Sequence, residues 1–224
     1  MNVPARPELL NQTNRKPEMT TWIPYPTILE GQSVKLLPLD NSHIGELGTL
    51  AKDKRIWEFY TFDGTDTNRF VELYSLAISE REKGTQFTFV IFHKADNKII
   101  GSTRYLDIFQ KHKKLEIGST WLHPAYWATE INLECKLLLL TYCFEELKTV
   151  RVQLKTDENN IRSRKAIEKI GGQFEGVLRN EIIRDNNTKR SSAIYSIIDE
   201  EWATKKERLI ELFAKKMAQQ RNNE

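Results

Sequence analysis

The chain has 224 residues, 39% hydrophobic and 29% charged, with 34 basic and 31 acidic side chains and a net charge of +3. That length and balance suit one domain, or one domain with tails, and exclude a chain too polar to bury a core. The two signs are mixed along the sequence rather than gathered into a basic stripe, which argues against a nucleic-acid partner.

No membrane partner is expected either. Leu137 to Leu140 is only a four-leucine run inside a polar-flanked helix. Met1 to Thr20 lack an apolar signal core, so a soluble cytoplasmic protein is the expectation. Cys135 and Cys143 fall eight positions apart on one expected helix, roughly 12 Å at 1.5 Å per residue, too far to bridge. They read as free thiols suited to a reducing compartment. The four histidines have no metal-ligand spacing, and no metal is expected.

Residues 1–27, rich in Pro, Asn and Thr, read as an irregular arm, with Met19 an alternative start. Residues 28–200 read as one folded domain and residues 201–224 as an amphipathic C-terminal helix. Ser33 to Leu39 is the first expected strand, and Asp40, Asn41 and Ser42 offer a cap to a short helix reaching about Lys52. Asp66 or Thr67 caps the next helix, with Phe70, Val71, Leu73, Leu76, Ala77 and Ile78 as its apolar face and Gly84 as its stop. A meander follows: alternating Phe87, Phe89 and Ile91, then "IIGSTRYLDIF", then "LEIGSTWL". The helix from Ile131 or Asn132 is apolar almost all round, so it is expected to be buried. "VRVQLKT" after it implies a parallel crossover. A second helix ends at Gly171-Gly172, and two strands make a hairpin about "NNT". Trp202, Leu209, Phe213 and Met217 share one side of the terminal helix.

This order of elements, with "LEIGSTWLHPAYW", "INLECKLLLLTYCFEEL", "VRVQLKTDENNIRSRKAIEKIGGQFEGVLRN" and "YSIIDEEW", resembles the GNAT superfamily of N-acetyltransferases, in the branch of the ribosomal-protein-alanine enzymes. The resemblance spans about Leu29 to Trp202. It implies an α/β (α+β) fold in a single GNAT domain: a mixed central sheet of six to seven strands, the fourth and fifth splayed, flanked by helices. It also implies acetyl-CoA as cosubstrate and an amine as acceptor, such as a protein N-terminus or a small amine. A homodimer is compatible with it.

Attack of an amine on a thioester needs a fixed carbonyl, donors for the oxyanion, a base for the amine proton and an acid for the leaving thiolate. The resemblance implies that Ser119, Thr120, Trp121 and Leu122 lend backbone groups to the pantetheine and oxyanion. It implies a pyrophosphate seat in the loop Trp127, Ala128, Thr129, Glu130, Ile131 and Asn132, where a helix start offers free N–H groups. The family's R/Q-x-x-G-x-G/A pattern is absent: Trp127, Glu130 and Asn132 stand at its defining positions. Glu130 would repel phosphate if its carboxylate pointed inward, and would favour the helix if it pointed out. It keeps open a rival reading, a non-catalytic CoA-binding protein. Lys136, one turn on, either adds charge there or is simply solvated.

"NNIRS" implies an Asn160 amide bonded to the pantetheine and a Ser163 hydroxyl near the thiolate; read by themselves, they are a loop residue and a first-turn helix residue. A tyrosine acid common in the family is replaced by Ile167, leaving Tyr195 and Tyr142 as weak candidates, with core packing the favoured reading of both. Glu116 is the candidate base, because a part-buried carboxylate next to the expected splay can have a raised pKa; the alternative is a sheet carboxylate paired with a nearby Lys or Arg. Arg162, Arg164 and Lys165 could meet the 3′-phosphate; for at least two of them a solvated helix face is the favoured account. Trp22, Trp57, Phe59 and Tyr60 could wall an acceptor pocket or pack as core.

Overall fold

The computed structural model describes residues 21–221. Met19 and most of the expected arm lie outside the described residues. Residues 21–27 are irregular, with Ile23 and Thr27 buried.

The strands are β1 (Leu29–Glu30), β2 (Val34–Pro38), β3 (Phe87–His93), β4 (Lys98–Phe109), β5 (Lys114–Leu122), β6 (Arg151–Asp157), β7 (Gln173–Ile183) and β8 (Lys189–Ile198). The helices are α1 (Ile44–Leu50), α2 (Thr67–Glu82), α3 (Ile131–Thr141), α4 (Ile161–Lys169) and α5 (Asp199–Arg221). All eight strands form one sheet in the order β1-β2-β3-β4-β5-β6-β8-β7. The strand beyond the expected six to seven is β1, whose Leu29 and Glu30 pair with Leu36 and Lys35. Two such pairs leave no alternating run for a sequence pattern to show.

The strands put alternate residues on opposite faces, and each face has its own core. Phe87, Phe89 and Ile91 of β3 join Leu139, Leu140, Ile167 and Trp202 on one side. Val90 and Ile99 join Leu47, Phe70 and Trp57 on the other. The buried stripe of α2 is narrower than expected: Phe70, Tyr74 and Ala77 are inside, while Val71 and Leu76 are exposed. Tyr74 takes the centre because its hydroxyl has buried partners, Ser102 Oγ at 2.6 Å and Trp121 Nε1 at 2.7 Å.

Helix α3 is tied to the first hairpin by a carboxylate. Glu134, nearly fully buried, accepts from the backbone N–H groups of Gln32, Ser33 (2.9 Å) and Val34 (3.1 Å). Beyond Thr141 the helix widens into one π turn, Tyr142–Glu146. Cys135 and Cys143 are free and buried, and burial pushes the Cys135 thiol up to about 12. Helix α5 covers α3: Trp202 stacks on Phe144 with ring centres 5.1 Å apart and donates to Glu145 Oε1 at 2.9 Å. Leu209 is buried, Phe213 packs on the same core, and Met217 Sδ reaches Ser33 Oγ at 3.8 Å. No helix among the described residues is long and apolar enough to cross a membrane.

The feature that positions the site lies between β5 and β6. These are the parallel neighbours, and they pair only at Lys114–Arg151, Leu115–Val152 and Glu116–Gln153. Beyond Glu116, β5 stays with β4 while β6 stays with β8 as far as Asp157–Ser192. A bulge accompanies the parting. Ser102 pairs with Trp121 and Arg104 with Gly118, so Thr103 faces both Ser119 and Thr120. Ser119 takes the left-handed conformation, φ +46°, and such a bulge bends its strand and adds twist.

Candidate active site

The parting of β5 and β6 opens a cleft of about 730 Å³, a size typical of small-molecule sites. Of the residues expected at the site, Glu116, Thr120, Trp121, Leu122, Trp127, Ala128, Thr129, Asn132, Asn160 and Ser163 line it. Glu130 and Ile131 do not. Ile131 is a core residue at the start of α3.

Glu130 departs from expectation in two ways. Its φ is −71°, an ordinary right-handed value, so no glycine is required there; the left-handed residue of the loop is Ala128, φ +61°. Its side chain is neither in the cleft nor solvated. It is buried, with Oε2 lacking a hydrogen bond, close enough to Glu134 to push that carboxyl's pKa upward after burial has done so. The reason is spacing: i and i+4 share a helix face, and that face looks toward the β1–β2 turn.

The start of α3 is open toward the cleft. Glu134 N–H is the first to bond back along the helix, to Glu130 O at 3.0 Å. Ile131 N–H has only a long contact to Thr129 Oγ1, 3.4 Å. The N–H groups that follow, beginning with Asn132, point along the axis with the positive end of the helix dipole.

Lys136 is not solvated. It is buried on the cleft wall, donates to Thr120 Oγ1 at 2.8 Å, and burial lowers its pKa to about 8. Thr120 Oγ1 also meets Thr103 Oγ1 at 2.7 Å.

Across the gap, Asn160 caps α4: its Oδ1 accepts from Ser163 N–H at 2.9 Å. That engages the oxygen and leaves the amide nitrogen without a protein partner among the described residues. Ser163 Oγ is likewise unbonded, on the cleft wall. Of the three nearby cations only Arg162 lines the cleft, over the Trp127 ring at 4.2 Å. Arg164 instead bonds Tyr195 (2.9 Å) and Glu158 O, and Lys165 is exposed off the cleft. Tyr195 is fully buried, donates to Glu168 at 3.1 Å and lies off the cleft, as does Tyr142.

Glu116 sits at the last paired position before the strands part. It is 4% exposed, accepts from Gln153 Nε2 at 2.9 Å and has Lys155 Nζ at 3.6 Å. Burial raises its pKa despite the opposing Lys155 and Gln153. The lysine partner of the alternative reading is present, and the same carboxylate also lines the cleft. Phe59 and Tyr60 wall the cleft, Trp57 is core and borders a second hollow, and Trp22 packs on the core away from both.

Comparison with known proteins agrees with this geometry. The sequence profile described as "Acetyltransferase (GNAT) domain" matches residues 33–173. The chain belongs to the GNAT acetyltransferase family. Among its GNAT relatives is a probable N-acetyltransferase, YjcK of Bacillus subtilis, 26% identical over 69% of this chain and 88% of that protein. A solved probable GNAT acetyltransferase from Chromobacterium violaceum superposes with a TM-score of 0.73 at 27% identity, covering 91% of this chain and 98% of the other. RimJ of Mycobacterium smegmatis, solved in complex with CoA-disulfide, shares the fold at a TM-score of 0.72 and 19% identity, covering 84% of this chain and 95% of that one.

Among the cleft residues of this GNAT chain that escaped sequence reasoning are Lys155 and Arg190. Both are charged residues on strands, which in sequence look like solvated positions, and no spacing signal distinguishes them.

Proposed function

We propose that the protein transfers acetyl from acetyl-CoA to a primary amine in a ternary complex, without a covalent enzyme intermediate. The parting of β5 and β6 after Glu116–Gln153 carries this reading. It leaves unpaired backbone on β5 facing a cleft, with an open helix start at one end and a buried carboxylate in the wall.

In this reading the pantetheine lies in the gap, where β5 from Ser119 to Leu122 has backbone groups to offer it. The diphosphate meets the N–H groups at the start of α3, within Trp127 to Asn132, and Arg162 adds charge. The free amide nitrogen of Asn160 donates to a pantetheine carbonyl. Glu116 takes a proton from the acceptor's ammonium, directly or through water, so that the neutral amine attacks the thioester carbonyl, and Ser163 Oγ gives a hydrogen bond to the leaving thiolate. The C–N bond forms, the C–S bond breaks, and the proton shed by the newly acylated nitrogen passes to the sulfur, so CoA leaves as the thiol. Glu130 favours this reading over a non-catalytic CoA binder, because it lies off the cleft with an unstrained backbone.

The test is acetyl-CoA titration by calorimetry, followed by thiol release with a panel of primary amines. Binding with amine-dependent thiol release is expected; binding without turnover across the panel would favour the non-catalytic protein. Asn160→Ser keeps a capping oxygen and removes the amide, so it separates the cap from the ligand. It is expected to weaken acetyl-CoA about 5- to 20-fold, roughly one charge-free hydrogen bond, with the thermal midpoint nearly unchanged. Equal affinity would remove Asn160 from the site.

A further inference from the structure

The acceptor's class can be read from a guanidinium with no hydrogen-bond acceptor among the described residues. Arg190, on β8, lines the cleft with its side chain 11% exposed. Its Nε is buried without a hydrogen bond, and among the described residues no group accepts a hydrogen bond from its guanidinium. Its nearest carboxylate, Asp157 Oδ2, is 3.9 Å away and already engaged by Arg184 Nη2. The neighbouring Glu181 is taken by Lys155 at 3.1 Å. A guanidinium carries five donors in a fixed fork that fits a carboxylate two at a time. Burying it without acceptors costs stability, and its retention here calls for a ligand that completes it.

The surroundings narrow that ligand. Glu116 and Glu181 share Lys155, and Asp157 shares Arg184 and Arg190; the field of Glu181 and Glu116 at Arg190 joins the two groups into one charge-balanced, part-buried cluster. A ligand with a lone negative charge would leave this buried cluster unbalanced, and a lone positive charge would do the same. A zwitterion keeps the balance, with its carboxylate on Arg190 and its amine on the Glu116 side. The ring walls of Phe59 and Tyr60 flank the same cleft and leave room for a side chain.

We propose that Arg190 is the carboxylate-binding residue of an acceptor subsite, and that the acceptor is a free α-amino acid. This rests on the acetyl-transfer reading above and names its substrate class.

The experiment uses matched pairs: L-alanine, L-methionine and L-phenylalanine, each beside its carboxamide. Each is titrated by calorimetry into the protein with and without CoA, and each is assayed for thiol release with acetyl-CoA. At least one amino acid is expected to bind tenfold or more tighter than its amide, with a matching difference in KM. Arg190→Gln is expected to abolish that preference and Arg190→Lys to keep part of it. Equal or tighter binding of the amides, or no binding by either partner of any pair, overturns the subsite. Preferential binding of amino acids without thiol release would keep the subsite and sink the acetyl-transfer reading. Thiol release from amides at the same KM would do the reverse. The wild-type pairs decide the matter even if Arg190→Gln does not fold.

Discussion

Lys136 and Glu116 are both buried charges on the cleft wall, and each has a measurable signature. Burial holds the Lys136 ammonium near 8, below the 10.5 it has when unfolded. At pH 7 both states are protonated, and the folded state bears the cost of a desolvated charge. As pH rises through 8 the folded protein releases this proton while the unfolded chain keeps it. Stability therefore climbs between about pH 8 and 10.5 and levels off above. Lys136→Met is expected to remove that climb and to stabilise the protein at pH 7 by about 1–3 kcal/mol, read by urea unfolding across the window. Parallel wild-type and variant profiles would contradict it. For Glu116 the shift is upward, through burial. The acid limb of kcat/KM is then displaced above the ordinary glutamate range, activity falling as pH falls through it. Glu116→Gln is expected to lower kcat about 10²–10⁴-fold and to erase that limb; a variant retaining both rate and limb would place the base elsewhere.

The strand pair β4–β5 sets the cleft wall, and it depends on one close approach. A Cβ on Gly101 would lie 2.1 Å from Trp121 O, a backbone atom that cannot step aside. Gly101→Ala is therefore expected to push β5 off β4 and cost about 1–3 kcal/mol, with weaker acetyl-CoA binding because Trp121 lines the cleft. Unchanged stability by thermal unfolding would show that the pair gives way without loss. Local chemistry made several elements legible beforehand: Asp66 caps α2, and Gly171, at φ +95°, follows the end of α4. Asn160 and Ser163 were legible through their resemblance to a family step, and they do face the cleft. The bulge was not legible, because Ser119 occupies a left-handed position that sequence would assign to glycine. Nor was the burial of Glu134, whose carboxylate is met by the distant β1–β2 turn. Arg190 stayed hidden for the same reason: its unmet donors are defined only when β6, β7 and β8 assemble around it.

The molecule as a whole is one sheet divided at a single seam, with β1 to β5 on one side and β6, β8 and β7 on the other. The halves are joined by three residue pairs at one end and by α3 and its crossover. Helix α5 braces α3 from outside, and its Lys216 reaches the cleft wall. The GNAT match and the neighbours' fold agree with that layout, and the proposed chemistry needs the seam to hold a thioester arm. A crystal structure of the acetyl-CoA complex tests this most directly. The account predicts the pantetheine along β5 from Ser119 to Leu122, the diphosphate at the start of α3 and the sulfur beside Ser163. Pantetheine density anywhere else, or β5 and β6 hydrogen-bonded past Glu116–Gln153 with the gap closed, would contradict it.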